Sequence, residues 1–220
     1  MSATQTFYGS TIGKKILMAV TGIILFGFVL VHMLGNMQIY IGPARLNAYS
    51  KLLHDNALEV LWPARIVLSL CVLVHIIAAV QVWLRSRAAR PVKYRVKVDI
   101  ATDYAARTMV WSGPIILAFV VFHILHLTTG NVLPSQFVAH DVYHNVVAGF
   151  QLWPVAAIYI IANLMLGFHL YHGLWSLFQT LGFNHPRYNP YRRVAAVLFA
   201  VAIAAGNISI PVSILAGWVH

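Results

Sequence analysis

The sequence predicts an all-α integral membrane protein with five transmembrane helices in a single domain spanning residues 1–220, and three observations predict it. Of 220 residues, 60% are hydrophobic and only 9% charged, against roughly 45–50% and 25% in a water-soluble domain. The mean hydropathy is +0.76. The apolar residues gather into five segments, each long enough to cross about 30 Å of hydrocarbon. The 15 Lys+Arg and 5 Asp+Glu are too few to coat a surface facing water. A soluble globular enzyme, a disordered chain and a collagen-like fibre are therefore excluded.

The first segment, Ile16–Ile41, follows the pair Lys14-Lys15 and runs about 26 residues, too long for the roughly 7–15-residue apolar region of a cleavable signal peptide. The second, Leu61–Leu84, has Pro63 near its start, where a missing N–H costs little. The third, Thr108–Thr129, carries Pro114 internally, and a local kink is expected there. The fourth, Leu152–Leu177, starts with Pro154 in its first turn, and the fifth, Val194–Val219, carries Pro211 as a second expected kink. Between the first two, Gly42–Leu61 has helix-like leucine spacing and is expected to form a short interfacial helix. Asn131–Gln151 is a second candidate for one.

Charge sets the orientation. Lys14 and Lys15 precede the first span, seven basic residues run from Arg85 to Arg107, and Arg187, Arg192 and Arg193 follow the fourth span. Twelve of the 15 basic residues thus fall on one side, and only Arg45, Lys51 and Arg65 on the other. Basic residues collect on the cytoplasmic side, so the N-terminus is expected there and the C-terminus outside. The excess of positive charge is assigned to topology and lipid rather than nucleic acid, because no basic stripe is interleaved with exposed aromatics. The lone Cys71 lies in an apolar run, leaving no disulfide framework and no all-cysteine metal site.

Eleven histidines are many for such a chain, and six of them lie within spans: His32, His75, His123, His126, His169 and His172. Intramembrane ionisable residues are rare and functional by default. Helical rise of about 1.5 Å per residue converts position into depth. Spans one and three run outward, which puts His32 and His123 in the outer half; spans two and four run inward, which puts His75 and His169 in the inner half. Neutral imidazoles facing each other across a four-helix core are a ligand set for haem iron. Two such pairs predict two b-type haems stacked across the membrane, and the absence of CxxCH excludes covalent attachment. A single histidine in a span is often only a hydrogen-bonded packing residue; four at matched depths on four helices favour haem.

His126 and His172 each lie on the same helical face as a paired histidine, about one turn nearer the surface, where a propionate contact or the interface would suit them. Depth favours His123 and His169 as ligands only modestly. His140 and His144 are spaced as half a zinc site with His54, Asp55 and Asp141 as the available partners, against the plainer reading of solvated loop histidines.

Three stretches carry a family resemblance covering nearly the whole chain: Ser10–Tyr40 (STIGKKILMAVTGIILFGFVLVHMLGNMQIY), Ala44–His54 (ARLNAYSKLLH) and, most specific, His169–Gly182 (HLYHGLWSLFQTLG). They resemble the cytochrome b subunit of succinate:quinone oxidoreductases (succinate dehydrogenase and fumarate reductase relatives), in its single-chain, five-helix, di-haem b558 type. The resemblance implies axial ligands at His32, His75, His123 and His169, an outer low-potential haem, and an inner high-potential one. It implies a membrane anchor with no dicarboxylate site of its own. That anchor would bind a flavoprotein with FAD and an iron–sulfur subunit on the cytoplasmic side of a bacterial-type inner membrane, and would pass their electrons to quinone. Menaquinone is favoured over ubiquinone by family; a higher oligomer of the complex is compatible with it. His54, Asp55 and Glu59 on the outer side are candidates for the quinone headgroup.

The chain departs from some relatives, which carry a middle-helix carboxylate for moving protons: Asp55, Glu59, Asp99, Asp103 and Asp141 all fall in loops or at span ends. Two other classes stay open. One is the cytochrome b anchor of a hydrogenase or formate dehydrogenase, which the HxxxGxWSxFQ pattern from His169 does not suggest; the other is a non-haem membrane protein, either a transporter or a His-box iron oxidase, the latter clustering its histidines near the aqueous face.

Overall fold

The computed structural model of the protein describes residues 7–89 and 104–220. Among the described residues the chain is helical, without strands. Helix α1 (Thr11–Asn36) starts where the Ser10 hydroxyl accepts the Gly13 N–H at 2.9 Å, satisfying one of the amides that a first turn leaves open. It ends in a tighter turn at Met37–Tyr40, and Gly42, at φ 122°, then redirects the chain. The short helix α2 (Pro43–Asp55) begins on a proline, and a wide turn at Ala57–Leu61 leads into α3 (Trp62–Ala88).

Helix α4 (Tyr104–His123) runs through Pro114 and opens at Ile124–Thr128 into a second wide turn, of the kind that often marks functional sites. The short helix α5 (Val142–Gln151) is followed by α6 (Trp153–Thr180) and by α7 (Asn189–Leu215), which continues past Pro211. Helices therefore occupy both inter-span segments expected to hold one.

Among the described residues five helices are long and apolar enough to cross a membrane: Thr11–Tyr40, Ala57–Ala88, Arg107–Thr128, Trp153–Thr180 and Asn189–Leu215. Several run past the apolar segments, at the ends rich in positive charge. The first starts five residues before Ile16, and the second includes Arg85 and Arg87. Hydropathy marks the edge of the hydrocarbon, whereas backbone hydrogen bonding continues into the interface, where long basic side chains can reach water. Lys14 is an exception. It is 3% exposed, its ammonium donates to Gln81 Oε1 at 2.5 Å, and it lies 3.8 Å from the Tyr8 ring centre. The end of the bundle where the chain starts is called inner below.

Two helical hairpins make the bundle. Helix α1 packs along α3, and α4 along α6; the hairpins meet through α1 and α6, and α7 lies against both of those. Phe26 of α1 stacks on Phe199 of α7 with ring centres 3.8 Å apart. The densest packing caps the outer end, where Ile39, Leu46, Phe150, Ala156, Tyr159, Ile210 and Ile214 form one buried cluster.

The first three spans bury only 17%, 11% and 6% of their most apolar stretch, against 33% for each of the last two. Apolar surface costs roughly 25 cal/mol per Å² in water, so faces carrying Phe28, Leu70 and Val121 require lipid. In hydrocarbon the side-chain polar groups must be satisfied internally. Thr21, Asn163 and Ser213 accordingly donate to carbonyls one turn back in their own helices, Leu17, Tyr159 and Ile210.

Candidate functional site

Helices α1 and α4 do not pack lengthwise on one another among the described residues, and neither do α3 and α6. Histidine rings meet across both gaps. His32 of α1 faces His123 of α4, with ring centres 5.7 Å apart and planes at 89°. His75 of α3 faces His169 of α6 at 6.3 Å and 52°. Each pair draws one ring from each hairpin, and all four rings are half-buried. With imidazole–metal bonds of about 2 Å, two axial rings on one metal would have centres about 6 Å apart. Both pairs sit near that spacing.

The two levels are separated alike on two helices. On α1, Gly22 lies at the inner level, where a Cβ would stand 3.6 Å from the His75 ring, and His32 follows ten residues later. On α6, Tyr159 touches His123 at the outer level and His169 follows ten residues later. Ten residues of helix rise about 15 Å.

Ring tautomers follow from the hydrogen bonds. The Thr21 hydroxyl donates to the Leu17 carbonyl at 2.7 Å, so toward His75 Nδ1, 3.1 Å away, it acts as the acceptor. His75 then carries its proton on Nδ1 and keeps the Nε2 lone pair, as a metal ligand must. The Tyr159 hydroxyl lies 3.2 Å from His123 Nδ1 and 3.0 Å from His126 Nδ1. His32 stacks on Phe28 at 5.3 Å, and His169 Nδ1 is buried without a hydrogen-bond partner.

These features fit a bis-imidazole group between the hairpins. The donors are neutral nitrogens in an apolar bundle, and a Cβ added at half-buried Gly27 or Gly173 would meet nothing within 4 Å. His126 differs from His123. It is 4% exposed and packs among Phe122, Phe150 and Tyr159, with Gly149 so close that a Cβ there would stand 2.6 Å from its ring. It lies in the wide turn Ile124–Thr128, and its Nδ1 shares the Tyr159 hydroxyl with His123.

The outer-surface candidates are arranged more loosely. His54, Asp55 and Glu59 lie together at the end of α2 and in the turn after it, and all three are exposed. The His54 Nδ1–H donates to the Ser50 carbonyl at 2.8 Å, and Asp55 pairs with Lys51 at 2.7 Å. The His54 and His140 rings stand 6.1 Å apart. Asp141 is engaged structurally: it accepts the His144 N–H and the Asn47 amide, both at 2.9 Å, and the first of these above all holds its carboxyl below the usual carboxylate range. Among the described residues no group of three His, Cys, Asp or Glu side chains could hold a metal ion.

Sequence reasoning missed Thr21 and Tyr159. Tyr159's only sequence signal is its ten-residue lead over His169; Thr21's is a hydroxyl inside an apolar run. In the His169–Gly182 stretch, Trp175 carries the Arg192 guanidinium 5.4 Å from its ring centre, and Tyr171 accepts from Arg193 at 3.0 Å. Arg90, Lys93, Arg95, Lys97, Asp99 and Asp103, which figure in the charge and carboxylate arguments, lie outside the described residues.

Fold and site together define a multi-pass helical membrane protein with two histidine pairs between its hairpins. No protein-family model, curated protein or solved structure matches the chain.

Proposed function

We propose that this chain is the di-haem cytochrome b anchor of a succinate:quinone oxidoreductase, a membrane electron-transfer subunit with its N-terminus in the cytoplasm. The observation that carries the reading is the meeting of His32 with His123 and of His75 with His169, one ring from each hairpin, at 5.7 and 6.3 Å. The resemblance of Ser10–Tyr40, Ala44–His54 and His169–Gly182 supports the particular enzyme class.

His75 and His169 would hold the inner haem b, and His32 and His123 the outer one. Haem b, when bound, supplies reversible one-electron chemistry at its iron. The chain's own residues do the rest. A group held by two imidazoles would supply electron transfer rather than oxygen chemistry. Thr21 and Tyr159 fix ring orientation, and the apolar walls exclude water. Lys15, Arg85, Arg87 and Arg187 give the inner face the positive charge on which a flavoprotein and an iron–sulfur partner, or lipid headgroups, would dock. Quinone would react toward the outer end, where His54, Asp55 and Glu59 are candidate contacts for its headgroup.

Purifying the complex from membranes under mild conditions tests the enzyme class. A flavoprotein and an iron–sulfur subunit should accompany the chain, and the complex should reduce quinone with succinate. The chain alone should not, because it has no dinucleotide-binding fingerprint and a single cysteine. Oxidation of hydrogen or formate by the complex would move the chain to the neighbouring class of anchors, and succinate oxidation by the isolated chain would overturn the anchor reading.

A further inference from the structure

We infer that Tyr159 is a positioning residue for His123: it accepts the His123 Nδ1–H while giving its own proton to His126, and so turns the His123 Nε2 lone pair toward the outer iron. The inference rests on the haem reading above and deepens it.

A phenol hydroxyl has one proton, so only one of the two rings at 3.2 and 3.0 Å can accept from it. Were that ring His123, its Nδ1 would be the lone-pair nitrogen and its Nε2 would carry the proton, which prevents coordination there. Were it His126, His123 donates from Nδ1 and keeps Nε2 for a metal. The surroundings of His126 favour the second arrangement. With Nδ1 accepting, His126 carries its proton on Nε2, and that edge of the ring faces Gly149. There a cavity about the size of one water is lined by His126, Gln136, Asn145 and Gly149. Gln136 Oε1 is buried beside it without a partner. An acceptor therefore waits where the proposed tautomer presents a donor, directly or through one water. Every link from Gln136 through His126 and Tyr159 to His123 then has one donor and one acceptor. Tyr159 is itself 5% exposed, with Phe119, Phe122 and Phe150 packed about its ring, so the hydroxyl has little freedom to turn elsewhere.

A hydrogen bond accepted from Nδ1–H makes an imidazole a more basic ligand and favours the oxidised metal. Tyr159→Phe keeps the ring and removes only the bond. In the purified full-length chain it should keep both haems, raise the midpoint potential of the outer haem, alter that haem's low-spin electron paramagnetic resonance signal, and leave the inner haem unchanged. His126→Leu removes the far end of the link and should shift the outer haem in the same direction by less, because Tyr159 becomes a weaker acceptor. An unshifted outer haem in Tyr159→Phe, or equal shifts in both haems, would overturn the inference. If Tyr159→Phe fails to assemble, an unshifted outer haem in His126→Leu overturns it alone. Absence of haem from the unaltered chain would instead refute the reading on which the inference rests.

Discussion

Replacing His75 or His169 with alanine should remove the inner haem, half of the chain's total, and abolish reduction of the remaining haem by succinate in the assembled complex. The lost imidazole is one of the two rings that face each other between α3 and α6, and in hydrocarbon bulk water does not take its place. The facing ring, 6.3 Å away, cannot hold the group by itself. The effect should be a near-complete loss of electron entry rather than a graded decline, since the inner level would lie nearest the proposed iron–sulfur partner. Haem quantification with succinate-driven reduction spectra reads both consequences. A variant that kept two haems and ordinary reduction would show that the inner pair is structural.

Replacing His32 or His123 should have the complementary result. The outer haem should be lost, the inner haem should still be reduced by succinate, and quinone reduction should fall to background. His126→Ala and His172→Ala should retain both haems. For His126 the structure supplies the reason: its ring packs against Tyr159 and Gly149, while the His123 ring faces His32. Redox spectra of the six single variants discriminate the two haems. Loss of the outer haem in His126→Ala with retention in His123→Ala would reverse the assignment within α4.

The five spans were legible in the sequence because composition and segment length alone decide them. The two histidine levels were legible for a related reason: helical rise is constant, so alternating span direction turns residue number into depth. What depth does not carry is direction around the helix axis. It therefore favoured His123 over His126 only modestly, and the two differ in whether they face the opposite hairpin or the α5 cap. Thr21 and Tyr159 were invisible for the same reason. Each acts through a lateral contact, with His75 across the α1–α3 interface and with His123 across α4–α6, and no local pattern announces it.

The surroundings of charged residues were not legible either. Lys14 counts among the basic residues in the topology argument, and its side chain is buried against Tyr8 and Gln81. His54, Asp55 and Glu59 are on one segment as their spacing requires, but exposed on its surface rather than enclosed around a pocket.

The central claim is that this bundle holds two haems, each between one histidine from either hairpin. The most direct measurement is the haem content of the purified chain together with its reduced-minus-oxidised absorption spectrum. Two b-type haems per polypeptide, both low-spin, are expected from the pairs His32–His123 and His75–His169. A correctly folded chain without haem absorption would contradict it.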